Sequence, residues 1–517
     1  MGSLIAQPKV TVNIIPASQA VENTDQQILF VGQKVAAGSA TAGVLRLNIL
    51  NDNSENALFG AKSMLAGMLR AAKRMNQITQ MDAIALDDNG SGVAAAGSVD
   101  FTGTATAAGT LVVTIGSTFN YKLNVGIAVG DTATVIGDTL AAAIAAVANL
   151  PVTGVNTTGS VAITASNDGT LGNDIGLSSA GSVAGVTVAV TGMSGGATDP
   201  VLTGVFDVIA DKRYQTIIWP YASDTAELRS LLDARFNSDN KVLDGVGITS
   251  LQDSLSNHLS LLGALNSQSL TYITDKLESE TLYKAPAQFE LAPIKAAQVG
   301  AIRALRLTDG ASISRFVITT NGPRDSFGGP ALASKPYFNT TTPDLPLINI
   351  GHGWNDSEIE QLHDAGGSVL GQNSAGNTSI MGEIVTTYKT DAAANPDVSF
   401  KYLNYVDTAS NAREYFHNNL KARFGQSRLT EGDVIRGRDM ANALTIIGFC
   451  ETLYLDLAGP DFVLLQSGEV ALQYFKSNLT VDIDLSIGRA TVGMTVPLVT
   501  QLREILATMK ISFSTTS

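Results

Sequence analysis

Between residues 205 and 320 the chain alternates short apolar runs with helical repeats so regularly that few folds can hold it. Residues 213–220 carry Ile217, Ile218 and Trp219 in an apolar run too short for a helix and closed by Pro220, which predicts a buried strand. Asp224, with Glu227 three positions on, comes close to a capping box, and Leu228, Leu231, Leu232 and Phe236 follow at helical spacing. Residues 242–249 read as a second strand. Ser250 then caps a helix whose Leu251, Leu255, Leu259 and Leu262 form one stripe, and 270–274 returns as strand. A helix over 293–307 and a strand over 315–320 extend this βαβαβ pattern into an α/β layer, with largely parallel strands and helices on its faces.

At 517 residues the chain exceeds one hydrophobic core, so two to four domains are expected. A net charge of −14 argues against direct nucleic-acid binding, because phosphate contacts need clustered Lys and Arg. The single cysteine, Cys450, lies in an apolar run and reads as a buried structural thiol with no disulfide partner. The first 20 residues lack a cationic start followed by an apolar core, and no apolar run is long enough for a membrane span. These features predict a soluble protein folded in a reducing cytoplasm, without membrane insertion.

Taken in order, residues 1–20 form an arm in which Val10, Val12 and Ile14 alternate with polar residues between Pro8 and Pro16, a strand with no adjacent hairpin partner. Residues 27–31 and 44–49 are strand candidates, and 57–78 reads as one long helix whose Met64, Met68 and Met75 are core. Residues 21–90 are thus the first part of the core. From 91 to 200 the composition shifts: no Arg, no Glu, one Lys (Lys122), and an abundance of Gly, Ala, Thr, Ser and Val. Strand-like runs at 110–115, 120–125, 160–165 and 186–191, with a helix at 138–149, predict an inserted β-rich outer domain. The α/β core resumes over 201–400, through a Gly/Pro-rich segment at 321–349, a helix at 357–365 and strands at 368–371 and 379–387.

Residues 401–508 form a C-terminal inner domain with helices at 409–424 and 431–456. Leu479, Val481, Ile483, Leu485 and Ile487 alternate with polar residues, and Gly488-Arg489 suits a type II′ turn into a partner strand at 490–496 that carries Val492 and Met494. Pro497 opens a helix, and Met509, Ile511 and Phe513 alternate in a last strand within the C-terminal arm, 509–517. The densest basic cluster in this acidic chain is Lys421, Arg423, Arg428, Arg436 and Arg438, read either as a solvated face or as a docking surface for an acidic partner.

Catalytic motifs fail on their spacing. Gly60-Ala61-Lys62-Ser63 precedes a helix, but Asn56 and Ala61 stand where a phosphate loop needs glycines. Gly351-His352-Gly353 faintly resembles the histidine loop of subtilisin-type peptidases, yet no serine motif accompanies it, and Ser427 lacks a nucleophile elbow. The four histidines, His258, His352, His363 and His417, never pair at ligand spacing. No catalytic, metal or cofactor residue is therefore assigned.

The run Ser486-Ile487-Gly488-Arg489-Ala490-Thr491-Val492-Gly493-Met494-Thr495-Val496-Pro497, with Leu502-Arg503-Glu504-Ile505-Leu506, resembles Mu-type contractile phage tail sheath proteins. Phe206-Asp207-Val208-Ile209-Ala210, residues 216–220 and the Gly169-Thr170-Leu171-Gly172-Asn173 stretch of the insert are similar too, so the likeness spans most of the chain. It implies a subtilisin-like parallel-sheet core without the peptidase residues, hexameric rings stacked helically around a tail tube, and contraction that drives the tube through a bacterial envelope. It implies baseplate and tail terminator proteins as further partners, and a virion tail assembled in the host cytoplasm. It also places the C-terminal domain nearest the tube, which assigns tube contact to the basic cluster, and it implies strands exchanged between subunits, which suits the open edges of both arms. The sheath of a bacteriocin or a secretion-type contractile system would share these features. A secreted subtilisin-like serine hydrolase is the alternative of another class.

Overall fold

The computed structural model describes residues 26–49, 54–116, 121–236, 241–276, 291–309, 353–372, 378–435, 438–459 and 464–500. The arms with Val10, Val12, Ile14, Met509, Ile511 and Phe513 lie outside them. So do Arg436, His352 and the expected strand at 315–320.

The chain opens with β1 (Gln27–Gln33), β2 (Leu45–Arg46), α1 (Ser54–Phe59), α2 (Met64–Met75) and β3 (Gln80–Leu86). The insert follows as β4 (Ala94–Gly103), β5 (Gly109–Ile115), β6 (Tyr121–Ile127), α3 (Ala133–Ala146), β7 (Val152–Thr157), β8 (Ser160–Asp168), a 3₁₀ turn at Thr170–Asp174, β9 (Leu177–Ala180) and β10 (Val186–Ser194). The core then resumes with β11 (Thr216–Ile218), α4 (Ala226–Phe236), β12 (Val246–Asp253), α5 (Leu255–Gly263), β13 (Leu270–Lys276), α6 (Ala292–Asp309), α7 (Asp356–Ala365), β14 (Gly367–Gln372) and β15 (Thr378–Met381). Last come α8 (Leu403–Phe424), β16 (Arg428–Leu429), β17 (Met440–Ala441), α9 (Ala443–Ala458), α10 (Glu469–Ser477), β18 (Thr480–Asp484) and β19 (Arg489–Gly493).

The core sheet has eight strands in the order β15-β14-β13-β12-β11-β1-β3-β2. Neighbours from β14 to β3 run parallel, and an antiparallel strand closes each edge. Side chains alternate faces along each strand. Ile28 and Phe30 join Ile218, Ile248 and Ile273 in the cluster under α2 and α6, whereas Leu29 and Val31 join Ile217, Trp219 and Tyr272 in the cluster with α4, α5 and α7. Burial on both faces is why these strands read as continuous apolar runs. Gly247 lets α4 close on β12, since a Cβ there would lie 2.6 Å from Leu228 Cδ2.

Several boundaries differ from the sequence expectation. The helix expected over 57–78 breaks between α1 and α2 at Gly60, which takes φ +83 and would place a Cβ 2.3 Å from Val35 Cγ2. Ser250 and Leu251 belong to β12, and it is Ser254 that caps α5, accepting from the Asn257 amide. Glu227 does not complete a capping box, because its carboxylate accepts from the Gly204 amide instead. Residues 431–435 and 438–442 are not helical: Asn442 forms the capping box of α9 with Thr445. The strand β3 was not expected at all.

The insert has a four-stranded antiparallel sheet, β10-β4-β8-β7, and a three-stranded one, β6-β5-β9, with α3 packed against them. Polar bonds tie it to the core. Gln33 donates to the Asp168 carbonyl at 2.7 Å, Asn167 donates to the Lys34 carbonyl at 2.9 Å, and the Met64 amide donates to Asn167 Oδ1 at 3.0 Å. On the other side, α8 spans two bodies: Leu403 and Val406 pack in the core, and Ala412 and Phe416 pack in the C-terminal domain.

Candidate functional site

The C-terminal domain is built on α9, whose Ile446, Cys450, Leu453, Tyr454 and Leu457 face Phe416 and Phe475. Tyr454 and Phe475 stack with ring centroids 4.4 Å apart. Burial pushes the Cys450 thiol up to about 11, so it stays protonated and inert near neutral pH.

Against this core lies the hairpin β18–β19, antiparallel, with Val481 opposite Val492 and Ile483 opposite Ala490. Leu479 is buried, while Val481, Ile483, Val492 and Met494 are half-buried on the inner face. Asp482 and Asp484 are exposed. The strand expected to run to Ile487 ends at Asp484, whose carboxylate accepts from the Ser486 hydroxyl and amide and is held below its usual range by those bonds. Leu485 therefore sits in a four-residue turn that closes on Gly488 at φ +64, rather than in a type II′ turn at Gly488-Arg489. Among the described residues β18 and β19 pair only with each other, which leaves an open ladder on each outer side.

The basic residues gather at one corner. Lys421 and Arg423 lie in the last turn of α8, where cations complement the helix dipole. Arg423 stacks over the Phe424 ring and approaches Asp439 at 3.9 Å, with both partners exposed. Arg428 pairs in register with Met440, and its amide donates to the Asp439 carbonyl at 3.0 Å, which brings Arg428 beside Arg438. All four are exposed, with Glu431, Asp433 and Asp439 interleaved.

The catalytic look-alikes hold other positions. Ser63 caps α2, accepting from the Ala66 amide, and Lys62 donates to the Val152 carbonyl of the insert. Ser427 donates to Asp439 at 2.6 Å. His258 and His363 are held below their usual range by burial. No group of three or more His, Cys, Asp or Glu side chains positioned to hold a metal ion occurs among the described residues, and no helix there is long and apolar enough to cross a membrane.

No protein-family model matches the chain. Among solved structures, a sheath tail protein from Listeria innocua is 12% identical with a TM-score of 0.45 and 92% of each chain covered. The helical sheath of the anti-feeding prophage in its contracted state is 10% identical, with a TM-score of 0.45 and coverage of 99% of this chain and 100% of that one. Among curated proteins, the Mu-like prophage FluMu tail sheath protein of Haemophilus influenzae is 33% identical over 210 residues, which is 40% of this chain and 42% of that protein. The match thus spans less than half the length of the relative. Over those 210 residues the chain is similar to a Mu-like prophage tail sheath protein, the family its own residues resemble.

Proposed function

We propose that this chain is the structural subunit of a phage contractile tail sheath, polymerising in helically stacked hexameric rings around a tail tube and contracting to drive the tube through the host envelope. The 33% identity to a curated tail sheath protein carries this reading. The parallel core with helices on both faces is consistent with a subtilisin-like scaffold used for architecture. In this reading the half-built hairpin β18–β19 accepts strands from neighbouring subunits, and the corner with Lys421, Arg423, Arg428 and Arg438 meets the tube. Baseplate and terminator proteins hold the two ends of the polymer, and the assembled product is part of a virion tail. Negative-stain electron microscopy of the purified chain tests the proposal. Hollow striated cylinders are expected, and monodisperse monomers at all concentrations and salt conditions would overturn it.

A further inference from the structure

The loop from β3 to β4 is where the chain leaves the core for the insert, and it returns past Asp199. At this neck Val93 and Ala197 exchange backbone hydrogen bonds of 3.0 Å each. Asn89 crosses the same neck with its side chain, whose Nδ2 donates to the Asp199 carbonyl at 3.1 Å. The residue after it is Gly90, so the side chain that links entry to exit belongs to an Asn-Gly dipeptide. The Gly92 amide donates to the Asn89 carbonyl at 2.8 Å and closes a turn in which Gly90 and Ser91 are exposed. Within that turn Asn89 Oδ1 accepts from the Ser91 amide at 3.1 Å and from the Ser91 hydroxyl at 3.0 Å. The Gly90 amide donates to no group among the described residues.

We propose that Asn89-Gly90 deamidates in the folded chain through a succinimide, and that the change loosens the neck of the insert. Hydroxide removes the Gly90 N–H proton, and the nitrogen lone pair attacks Asn89 Cγ. The new N–Cγ bond closes a five-membered ring, and negative charge passes to Oδ1, where the two Ser91 donors receive it. The Cγ–Nδ2 bond then breaks, and the nitrogen takes a proton from water and leaves as ammonia. One water opens the ring: cleavage at Cγ gives aspartate, and cleavage at the main-chain carbonyl gives isoaspartate. Amide and water give acid and ammonia, and no atom changes oxidation state.

Four features of the turn support the step. Glycine carries no Cβ to shield its nitrogen or to restrict the backbone rotation that brings it to Cγ. That nitrogen is exposed, and its proton is free to exchange with solvent. Attack within one dipeptide needs no second molecule to be held in place. Two donors already aimed at Oδ1 stabilise the charge that develops there. The product removes the Nδ2 donor and sets a carboxylate against the Asp199 carbonyl, at a neck that already carries the Asp88 and Asp199 side chains. The reaction is independent of what the chain assembles into.

Incubation of the full-length chain at neutral and mildly alkaline pH, with peptide mapping across residue 89, is the test. Aspartate and isoaspartate should accumulate at that position, faster at the higher pH. Gly90→Ala should lose most of the conversion while keeping the fold, since a Cβ there meets nothing within 4 Å and the residue does not take a left-handed φ. Hydrogen exchange at the Val93 and Ala197 amides should quicken in the aged natural chain and stay unchanged in aged Gly90→Ala. Asparagine retained at position 89 of the native chain, whether or not it converts in urea, overturns the proposal, as does equal conversion in Gly90→Ala. Conversion with unchanged exchange at those two amides overturns the effect on the neck.

Discussion

Arg303 on α6 donates to Asp407 on α8 at 2.5 Å, and the two side chains are 4% and 1% exposed. The same guanidinium also donates to Thr216 Oγ1 at 2.7 Å and to the Gln215 carbonyl, so one cation joins the sheet, its covering helix and the helix that leads into the C-terminal domain. Removing one partner of such a pair strands the other charge. Asp407→Ala is expected to destabilise the core by about 3–5 kcal/mol, whereas Arg303→Met with Asp407→Leu should recover most of the loss. Urea unfolding followed by intrinsic tyrosine and tryptophan fluorescence checks this. An unchanged midpoint for Asp407→Ala would show that the pair carries no stability.

Asp82 gives the fold a defined acid sensitivity. It is fully buried in β3, where burial alone would raise its carboxyl. Hydrogen bonds from Lys212 (2.5 Å), the Asn48 amide (2.8 Å), Gln80 (3.0 Å) and Tyr214 (2.7 Å) outweigh this and hold it below the usual range. A carboxyl depressed on folding stabilises above its unfolded value of about 3.9 and loses that contribution as pH falls through the folded value. Asp82→Asn should cost about 1.5–3 kcal/mol near neutral pH and flatten the acid limb of the melting curve. Melting temperatures from about pH 6 down to about pH 2 read both effects. Parallel pH profiles for the two proteins would refute the assignment.

The same residue explains part of what the sequence hid. The central alternation was legible because β11, β12 and β13 are apolar on both faces and their helices carry clear stripes. In β3, Gln80-Met81-Asp82-Ala83-Ile84-Ala85-Leu86, a charge stands in the middle and alanines replace β-branched residues, so neither a strand period nor an apolar run emerges. Only the tertiary partners Lys212 and Tyr214, more than a hundred residues away, make Asp82 a core residue. The break at Gly60 was hidden for a related reason. Helical spacing continues across it, and the cause is Val35, which packs where a Cβ would be. In the hairpin the alternation holds over Val481 and Ile483, but the Asp484–Ser486 bonds end the strand early and lift Leu485 out of the ladder.

The insert meets the core through polar bonds of Gln33, Asn167 and the N-terminus of α2, which water can replace when the partner is removed, and through Leu171, which packs against both core clusters. Replacing residues 91–200 with a short Gly/Ser bridge is therefore expected to leave a folded, polymerising core of reduced stability, because Met64 and Leu291 lose cover. Sedimentation and electron microscopy of the shortened chain check this. Recovery of insoluble protein alone would make the insert part of the folding unit.

At the basic corner, Arg428 and Arg438 are the pair to reverse, since both are exposed and neither side chain forms an ion pair among the described residues. Arg428→Glu with Arg438→Glu should weaken tube-templated assembly at low salt, with the difference shrinking as salt screens the contact. Co-sedimentation with a tail tube across a salt series measures it. Equal co-sedimentation at low salt would remove these residues from the tube interface.

The hairpin β18–β19 poses the problem that assembly would solve. Two strands alone are marginal in water, and this pair has only a half-buried inner face, Val481 and Ile483 across from Val492 and Ala490. Its outer ladders carry backbone donors and acceptors with no strand beside them among the described residues. Open edges of this kind invite pairing with another chain. The alternating runs Val10, Val12, Ile14 and Met509, Ile511, Phe513 carry the pattern that would fill both sides, one from each of two neighbours. Removing residues 1–16 should therefore yield folded, unpolymerised subunits. Ile511→Pro should do the same, since proline removes the backbone donor that a ladder needs. Circular dichroism reports folding and electron microscopy reports polymer. Full-length cylinders from both variants would refute strand exchange, and so would an experimental structure in which these strands pair within their own subunit.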